Sequence, residues 1–230
     1  MLFRSINLER NFQLVPLIDQ NWIGYILQDE RWLLRDFSGR IYTTEEWLNL
    51  CQLQGLTGWG SFIQKLVGYD GGTGQQFFQK PNVRILYDIG LNWKAGEKWP
   101  SKEISKSIWE KMHATLTVNY RVSWQQGLDS IDDYIRWIAS NRLIITVDSL
   151  GLHLATAMNI PVIGLFGSTD ASLHDATATT RHVKFDTPKN TYSCMPCWKS
   201  QCFQEIHCSE HLNFNKIDLL INELLAEKAQ

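Results

Sequence analysis

Short apolar runs alternate with amphipathic stretches from about residue 80 to the end of the chain. The runs at residues 83–89, 118–124, 143–147, 161–166 and 181–185 are rich in β-branched and aromatic residues, and they predict strands. Between them the apolar positions recur at helical spacing. Ile104, Ile108, Met112 and Leu116 share one face of a helix predicted over 102–116, with Ser101 as its cap. Ser130-Ile131-Asp132-Asp133 resembles a capping box, with Asp in place of Glu, and opens a helix to Ser140. A short helix is predicted over 151–158. A longer one, over about 215–227, buries Ile217, Leu220, Ile221, Leu224 and Leu225. Alternating strands and helices of this length predict an α/β fold with a doubly wound parallel sheet, Rossmann-like in architecture.

The first 80 residues are less regular. Residues 22–27 predict a strand, and Thr44 is the expected cap of a helix over 45–51. A second short helix is expected over 61–67. Three glycines within Asp70-Gly71-Gly72-Thr73-Gly74 mark a loop, and the domain boundary is placed near it. The organisation read from the chain is therefore a partial amino-terminal α/β segment, 1–80. A Rossmann-like domain, 81–230, follows, with a cysteine-rich loop at 190–210.

Composition narrows the function classes. With 22 basic and 24 acidic residues the chain has a net charge of −2, so it lacks the basic field of a nucleic-acid binder. A hydrophobic content of 44% is enough for a sizeable core. No run of about 18 apolar residues predicts a membrane span. The amino terminus lacks the basic start and long apolar centre of a secretion signal. Five cysteines in such a chain predict a reducing, cytoplasmic compartment.

The chemistry-bearing positions cluster at predicted strand ends. Ile144 to Val147 end at Asp148-Ser149-Leu150-Gly151-Leu152-His153, where a helix begins; the next apolar run ends at Gly167-Ser168-Thr169-Asp170. A third loop, 90–102, carries Lys94, Lys98 and Lys102. Lysines, hydroxyls and an unpaired helix N-terminus at the carboxyl edge of a parallel sheet suit a diphosphate. Asp148 is either a helix cap or a site residue, and His153 either a satisfied core histidine or a phosphate contact. Cys194, Cys197, Cys202 and Cys208 follow the pattern C-x2-C-x4-C-x5-C, with His207 as an alternative fourth ligand. Four thiolates so spaced can close a tetrahedral structural site for zinc or iron; four free thiols, or a redox disulfide between Cys194 and Cys197, are the other readings. Cys51 lies far away in sequence and is expected to be buried.

The stretch from Asp148 to Asp170 resembles glycosyltransferase family 9, the heptosyltransferase family. The resemblance rests on Asp148-Ser149-Leu150-Gly151-Leu152-His153-Leu154-Ala155, on Phe166-Gly167-Ser168-Thr169-Asp170, and on Glu97-Lys98-Trp99-Pro100. It implies a GT-B enzyme of two Rossmann domains, whose carboxyl-terminal domain holds a nucleotide diphosphate sugar, ADP-heptose-like with the base undecided. It places Lys98, Asp148, Ser149, Leu150, Gly151, His153, Gly167, Ser168 and Thr169 at the donor, and Lys98 on the pyrophosphate. The acceptor would be a lipopolysaccharide-type or other glycan, or a protein. The chain departs from the family pattern in three places. Leu150 stands where the glycine after Asp-Ser is usual, Ser168 replaces a proline, and Trp124-Gln125-Gln126-Gly127 replaces a loop in which some members carry a ribose-reading glutamate.

Only about 80 residues precede the recognised domain, whereas a complete domain of this type takes about 150. The expectation is a shortened amino-terminal region without the family's catalytic aspartate. The leading function is sugar transfer from a nucleotide diphosphate donor. The alternative is a non-catalytic nucleotide-sugar-binding or assembly subunit whose apolar amino-terminal edge, beginning with Leu2, Phe3, Ile6 and Leu8, is covered by a partner chain or a second copy.

Overall fold

A computed structural model describes residues 6–7, 23–29, 31–36, 38–54, 62, 65, 66, 68, 80–97, 99–125, 130–174, 177–187 and 194–226. The chain divides into two compact units, Met1–Gln75 with Ser172–Asp175, and Gln76–Ala171 with Ala176–Gln230.

The first unit holds a four-stranded sheet in the order β1-β2-β3-β4, with β1 at Ile6–Asn7, β2 at Ile23–Gln28, β3 at Arg31–Arg35 and β4 at Ile41–Tyr42. β1 runs parallel to β2, while β2, β3 and β4 are antiparallel neighbours. Two-residue and short polar connections favour hairpins over crossovers, so this sheet is a meander through most of its width. Asp36 organises the β3–β4 turn. One carboxylate oxygen accepts from the Ser38 hydroxyl and from the Ser38 and Arg40 amides, and Gly39 adopts φ 88°. Burial alone would raise the Asp36 pKa, but these donors, with Tyr42, outweigh it and hold the carboxyl below its usual range. Helix α1, Thr44–Leu53, starts one residue earlier than predicted. Thr43 is its N-cap and forms a reciprocal capping box with Glu46. Trp47 and Cys51 of α1 pack with Leu34, Phe62 and Leu66. The expected helix over 61–67 is helical at Phe62, Lys65 and Leu66, and its other positions lie outside the described residues, as does the glycine-rich loop 70–74.

The second unit is a five-stranded, wholly parallel sheet. Its strands are β5, Tyr87–Asn92; β6, Val122–Trp124; β7, Asn141–Val147; β8, Val162–Phe166; and β9, Thr180–Lys184, in the order β6-β5-β7-β8-β9. The helices are α2, Lys106–Leu116; α3, Ile131–Ala139; α4, Leu150–Ala157; and α5, Phe214–Ala226. Strand alternation sorts the core into two layers. Leu143, Ile145 and Val147 pack with Trp109 and Met112 of α2 and with Ile217, Ile221 and Leu224 of α5. Ile144 packs on the other face with Ile138 of α3 and Leu152 and Ala155 of α4. No described helix is long and apolar enough to cross a membrane.

Several boundaries differ from the sequence reading, each for a tertiary reason. The helix expected from Lys102 begins at Lys106. Residues 100–102 form a 3-10 turn closed by Glu103 donating to the Pro100 carbonyl, and Ile104 is buried beyond it. Ser101 cannot cap, because its hydroxyl donates to the Lys199 carbonyl and its amide to that of Ser200. The strand expected over 118–124 shrinks to Val122–Trp124, since Thr117, Asn119 and Tyr120 continue the winding of α2 through bonds to His113 and Leu116. The strand expected over 83–89 is shifted to 87–92, so that Gly90, Leu91 and Asn92 belong to the strand and not to the loop after it. Ser130 does cap α3, accepting from the Asp133 amide, but the shorter Asp133 carboxylate takes the Ser130 hydroxyl in place of the backbone amide that a glutamate would reach.

At the start of β5, Asp88 accepts two bonds from the Arg121 guanidinium and one from the Arg121 amide, with Arg142 3.6 Å away. The Arg121 bond, chiefly, holds the Asp88 carboxyl down at about 2. A depressed carboxyl stabilises the fold above its unfolded value and loses that contribution as pH falls through the folded one. Arg121 is largely exposed, which screens the pair, so Asp88→Asn is expected to cost about 1 kcal/mol at neutral pH. Urea unfolding of both proteins should show the gap narrowing as pH drops from about 4 towards 2.

Candidate functional site

The carboxyl ends of β5, β7 and β8 lie side by side, because Asn92 is in register with Thr146 and Val147 with Leu165. The crossovers of a parallel sheet carry each chain back over a face, leaving the loops after the strands to form one rim. Three groups of residues meet at it.

The first is a polar knot between β5 and β7. The Asn92 side-chain amide donates to the Thr146 hydroxyl at 2.8 Å and to the Ser149 hydroxyl at 3.0 Å, and Thr146 donates to the Val147 carbonyl at 2.8 Å. Thr146 is fully buried and Asn92 nearly so, so these bonds replace lost water contacts. Ser149 stands at the N-cap of α4, but its side chain caps nothing because Asn92 holds it. The first-turn amides of α4 therefore keep the anion-accepting character of a helix N-terminus.

Asp148 forms the second group. It is 5% exposed, forms an ion pair with Lys102 at 2.7 Å and accepts from the Thr169 hydroxyl at 2.7 Å. The helix-cap role considered for Asp148 falls to Ser149 by position, one residue later. Asp148 instead ties the loop after β5 to the loop after β8. Lys102 also lies over the Trp99 ring at 5.2 Å, and Lys94 over the Trp93 ring at 5.0 Å. Lys98 lies outside the described residues. Sequence reasoning therefore missed Lys102, Asn92 and Thr146 as organising residues. Asn92 and Thr146 had a signal, since both are polar positions at the ends of apolar strands; Lys102 stood among the rim lysines, but its pairing with Asp148 had no signal, because that partner is far along the chain. Leu150 is exposed at the first turn of α4. His153 is exposed as well, which removes the core reading of that histidine.

Gly151 answers a packing demand. A Cβ there would lie 2.5 Å from both the Asn92 amide nitrogen and the Tyr134 hydroxyl. The glycine one place later than the usual family position thus lets α4 close on the polar knot.

The third group is the cysteine loop. Cys194, Cys197, Cys202 and Cys208 line one small cavity together with Gly167 and Ser168. None of the four is joined in a disulfide. Burial pushes the Cys208 thiol up to about 12, and the neighbouring Cys202, Cys197 and Cys194 sulfurs add to the effect. Four soft sulfur donors around one cavity suit a thiophilic cation. His207 is otherwise engaged. Its Nδ1 lies 2.8 Å from the Ser209 hydroxyl and its Nε2 3.2 Å from the Ser101 carbonyl, so both ring nitrogens are occupied in bracing the loop. A side chain at Gly167 would overlap the Phe185 ring and lie 2.8 Å from the Cys208 sulfur.

The family model described as Glycosyltransferase family 9 (heptosyltransferase) matches residues 86–207, more than half of the chain and all of the rim just described except Cys208 and Ser209. Among solved structures, the chain is similar to the bacterial iron-containing dodecameric glycosyltransferase TibC from enterotoxigenic E. coli H10407, at 16% identity and a TM-score of 0.54, covering 74% of this chain and 54% of that one. A second structure of TibC, described as a dodecameric iron-containing heptosyltransferase in complex with ADP-D-β-D-heptose, matches with the same identity, coverage and TM-score. The chain thus spans about half the length of these structures, and the likeness supports a GT-B-like Rossmann fold for the described α/β unit. Comparison with curated proteins finds no match. The match over the two strand-end loops and the cysteine segment makes this chain a member of glycosyltransferase family 9, the heptosyltransferase family.

Proposed function

We propose that this chain forms the donor side of a transferase that moves a heptose-type sugar from a nucleotide diphosphate onto a glycan acceptor. The observation that carries the reading is the rim itself. Asp148 is held between Lys102 and Thr169, beside a helix whose first turn has no side-chain cap, at the carboxyl edge where α/β sheets take nucleotides. TibC, similar in fold, is described in complex with ADP-D-β-D-heptose, which favours an adenine base for the donor.

In this reading the amides of Leu150 and Gly151 and the Gly167 to Thr169 loop bind the diphosphate, and Lys98 neutralises it as it leaves. Hydrogen bonds to the leaving diphosphate strengthen as negative charge collects on it, so they favour the transition state over the bound donor. The Asp148–Lys102 pair sets the spacing of the loops, and a preset spacing avoids reorganisation during transfer. Cys194, Cys197, Cys202 and Cys208 would hold a structural iron or zinc ion, which cross-links the loop and, with four protein ligands, leaves no open position for chemistry.

A thermal-shift panel with ADP, UDP, GDP and CMP tests the donor site. ADP at about 100 times its dissociation constant should stabilise the fold by about 2.7 kcal/mol. A silent panel would overturn the donor reading and leave the non-catalytic subunit. Lys98→Ala is expected to weaken ADP binding by about tenfold, as the loss of a charge-assisted phosphate contact does; an unchanged affinity by calorimetry would remove Lys98 from the site.

A further inference from the structure

The cysteine loop is hydrogen-bonded to the donor rim at two separate places, and neither set of bonds involves a sulfur atom. At the first, the loop grips the 3-10 turn before α2. The Ser101 amide donates to the Ser200 carbonyl at 2.9 Å, the Ser101 hydroxyl donates to the Lys199 carbonyl, and the Ser101 carbonyl lies 3.2 Å from Nε2 of His207. Every polar backbone and side-chain group of Ser101 is thus engaged by residues between Cys197 and Cys208. At the second, the Trp198 amide donates to the Ser168 carbonyl at 2.9 Å, in the loop after β8. Ser101 is one residue from Lys102 and Ser168 one residue from Thr169, both of which hold Asp148.

The two halves of the Asp148 clasp are therefore each pinned by one short segment, Trp198 to Ser200, that lies between the second and third cysteines. A segment this short has little regular structure to hold it; residues 197–203 contain no helix or strand. Its conformation depends on what fixes its ends, and its ends are Cys197 and Cys202. Ser168, whose buried hydroxyl has no hydrogen-bond partner among the described residues, lines the same cavity as the four cysteines. The cavity and the rim thus share a wall.

We infer that the cysteine loop is a positioning brace for the donor site. Occupancy of Cys194, Cys197, Cys202 and Cys208 by iron or zinc fixes Trp198–Ser200, which fixes Ser101 and Ser168, and so sets the affinity for a nucleoside diphosphate. This rests on the donor reading above and adds to it that metal loading and donor binding are thermodynamically linked. Linkage is reciprocal, so the diphosphate also tightens the hold on the metal.

The test compares anaerobically purified, metal-loaded protein with protein stripped by a chelator and with stripped protein reloaded with zinc or iron. Calorimetry measures ADP affinity, and hydrogen exchange follows the Ser101 and Trp198 amides. Stripping is expected to weaken ADP binding by about tenfold, within the usual range for coupled sites, and to speed exchange at those two amides, with both effects reversed by reloading. Equal ADP affinity in loaded and stripped protein overturns the brace while leaving the donor site standing. Absence of ADP binding in all three overturns the donor reading and the brace with it. Should stripping unfold the unit, Ser101→Ala decides. It removes the hydroxyl grip and is expected to keep full metal content and to weaken ADP binding several-fold; full metal with unchanged ADP affinity overturns the inference.

Discussion

Gly151→Val should lower the melting temperature by several degrees and abolish measurable nucleotide binding. The Cβ of any side chain at 151 falls 2.5 Å from both the Asn92 amide nitrogen and the Tyr134 hydroxyl, so one or both must shift. Asn92 is buried and already donates to Thr146 and Ser149. Burial also raises the Tyr134 hydroxyl to about 12, and its ring stacks on that of Trp137. Overpacking of this kind costs about 1–3 kcal/mol, and breaking a buried polar knot adds about 1–3 kcal/mol more. For a chain of this size each kcal/mol shifts the midpoint by about 2–4 °C. Binding suffers separately, because displacement of Asn92 frees Ser149 to cap α4 itself and so occupies an amide otherwise open to phosphate. Calorimetric unfolding and an ADP titration check the two parts. Wild-type stability in Gly151→Val would show that α4 need not approach Asn92 so closely.

Cys208→Ser is the second large effect expected. Cys208 is the most buried of the four sulfurs, beside Gly167 in the wall that the cavity shares with the loop after β8. Serine offers a hard, weakly acidic donor where the set supplies soft sulfur, so metal content should fall from about one equivalent to less than about a tenth. Loss of a structural metal is among the few single changes that cost more than about 4 kcal/mol, so the midpoint should drop by about 10 °C or more. Elemental analysis of anaerobically purified protein, with a melting curve, reads both. Zinc and iron below about a tenth of an equivalent in the wild type would remove the metal from this account. The same substitution in Cys51, buried in α1 of the other unit, should leave metal content unchanged.

The alternation of apolar runs and amphipathic stretches determined the parallel sheet and its helices, because strand and helix periods are local properties that burial on one or two faces imposes. The motif from Asp148 to Asp170 likewise marked the rim, since strand, turn and helix start follow one another without a break in the chain. Tertiary structure decided the rest. Lys102 was readable as a rim-loop lysine and the start of a helix, and it became a partner of Asp148 because Ser101 is held by a loop 98 residues away. Gly151 was legible as a turn glycine, yet what requires it is the approach of Asn92 from a neighbouring strand and Tyr134 from a neighbouring helix. The cysteine spacing was legible as a candidate metal set, whereas the loop's grip on Ser101 and Ser168 could not be read from spacing. Hydrogen bonds between distant segments leave no periodic trace in a sequence; they exist only where the packing of the sheet brings their donors and acceptors within about 3 Å.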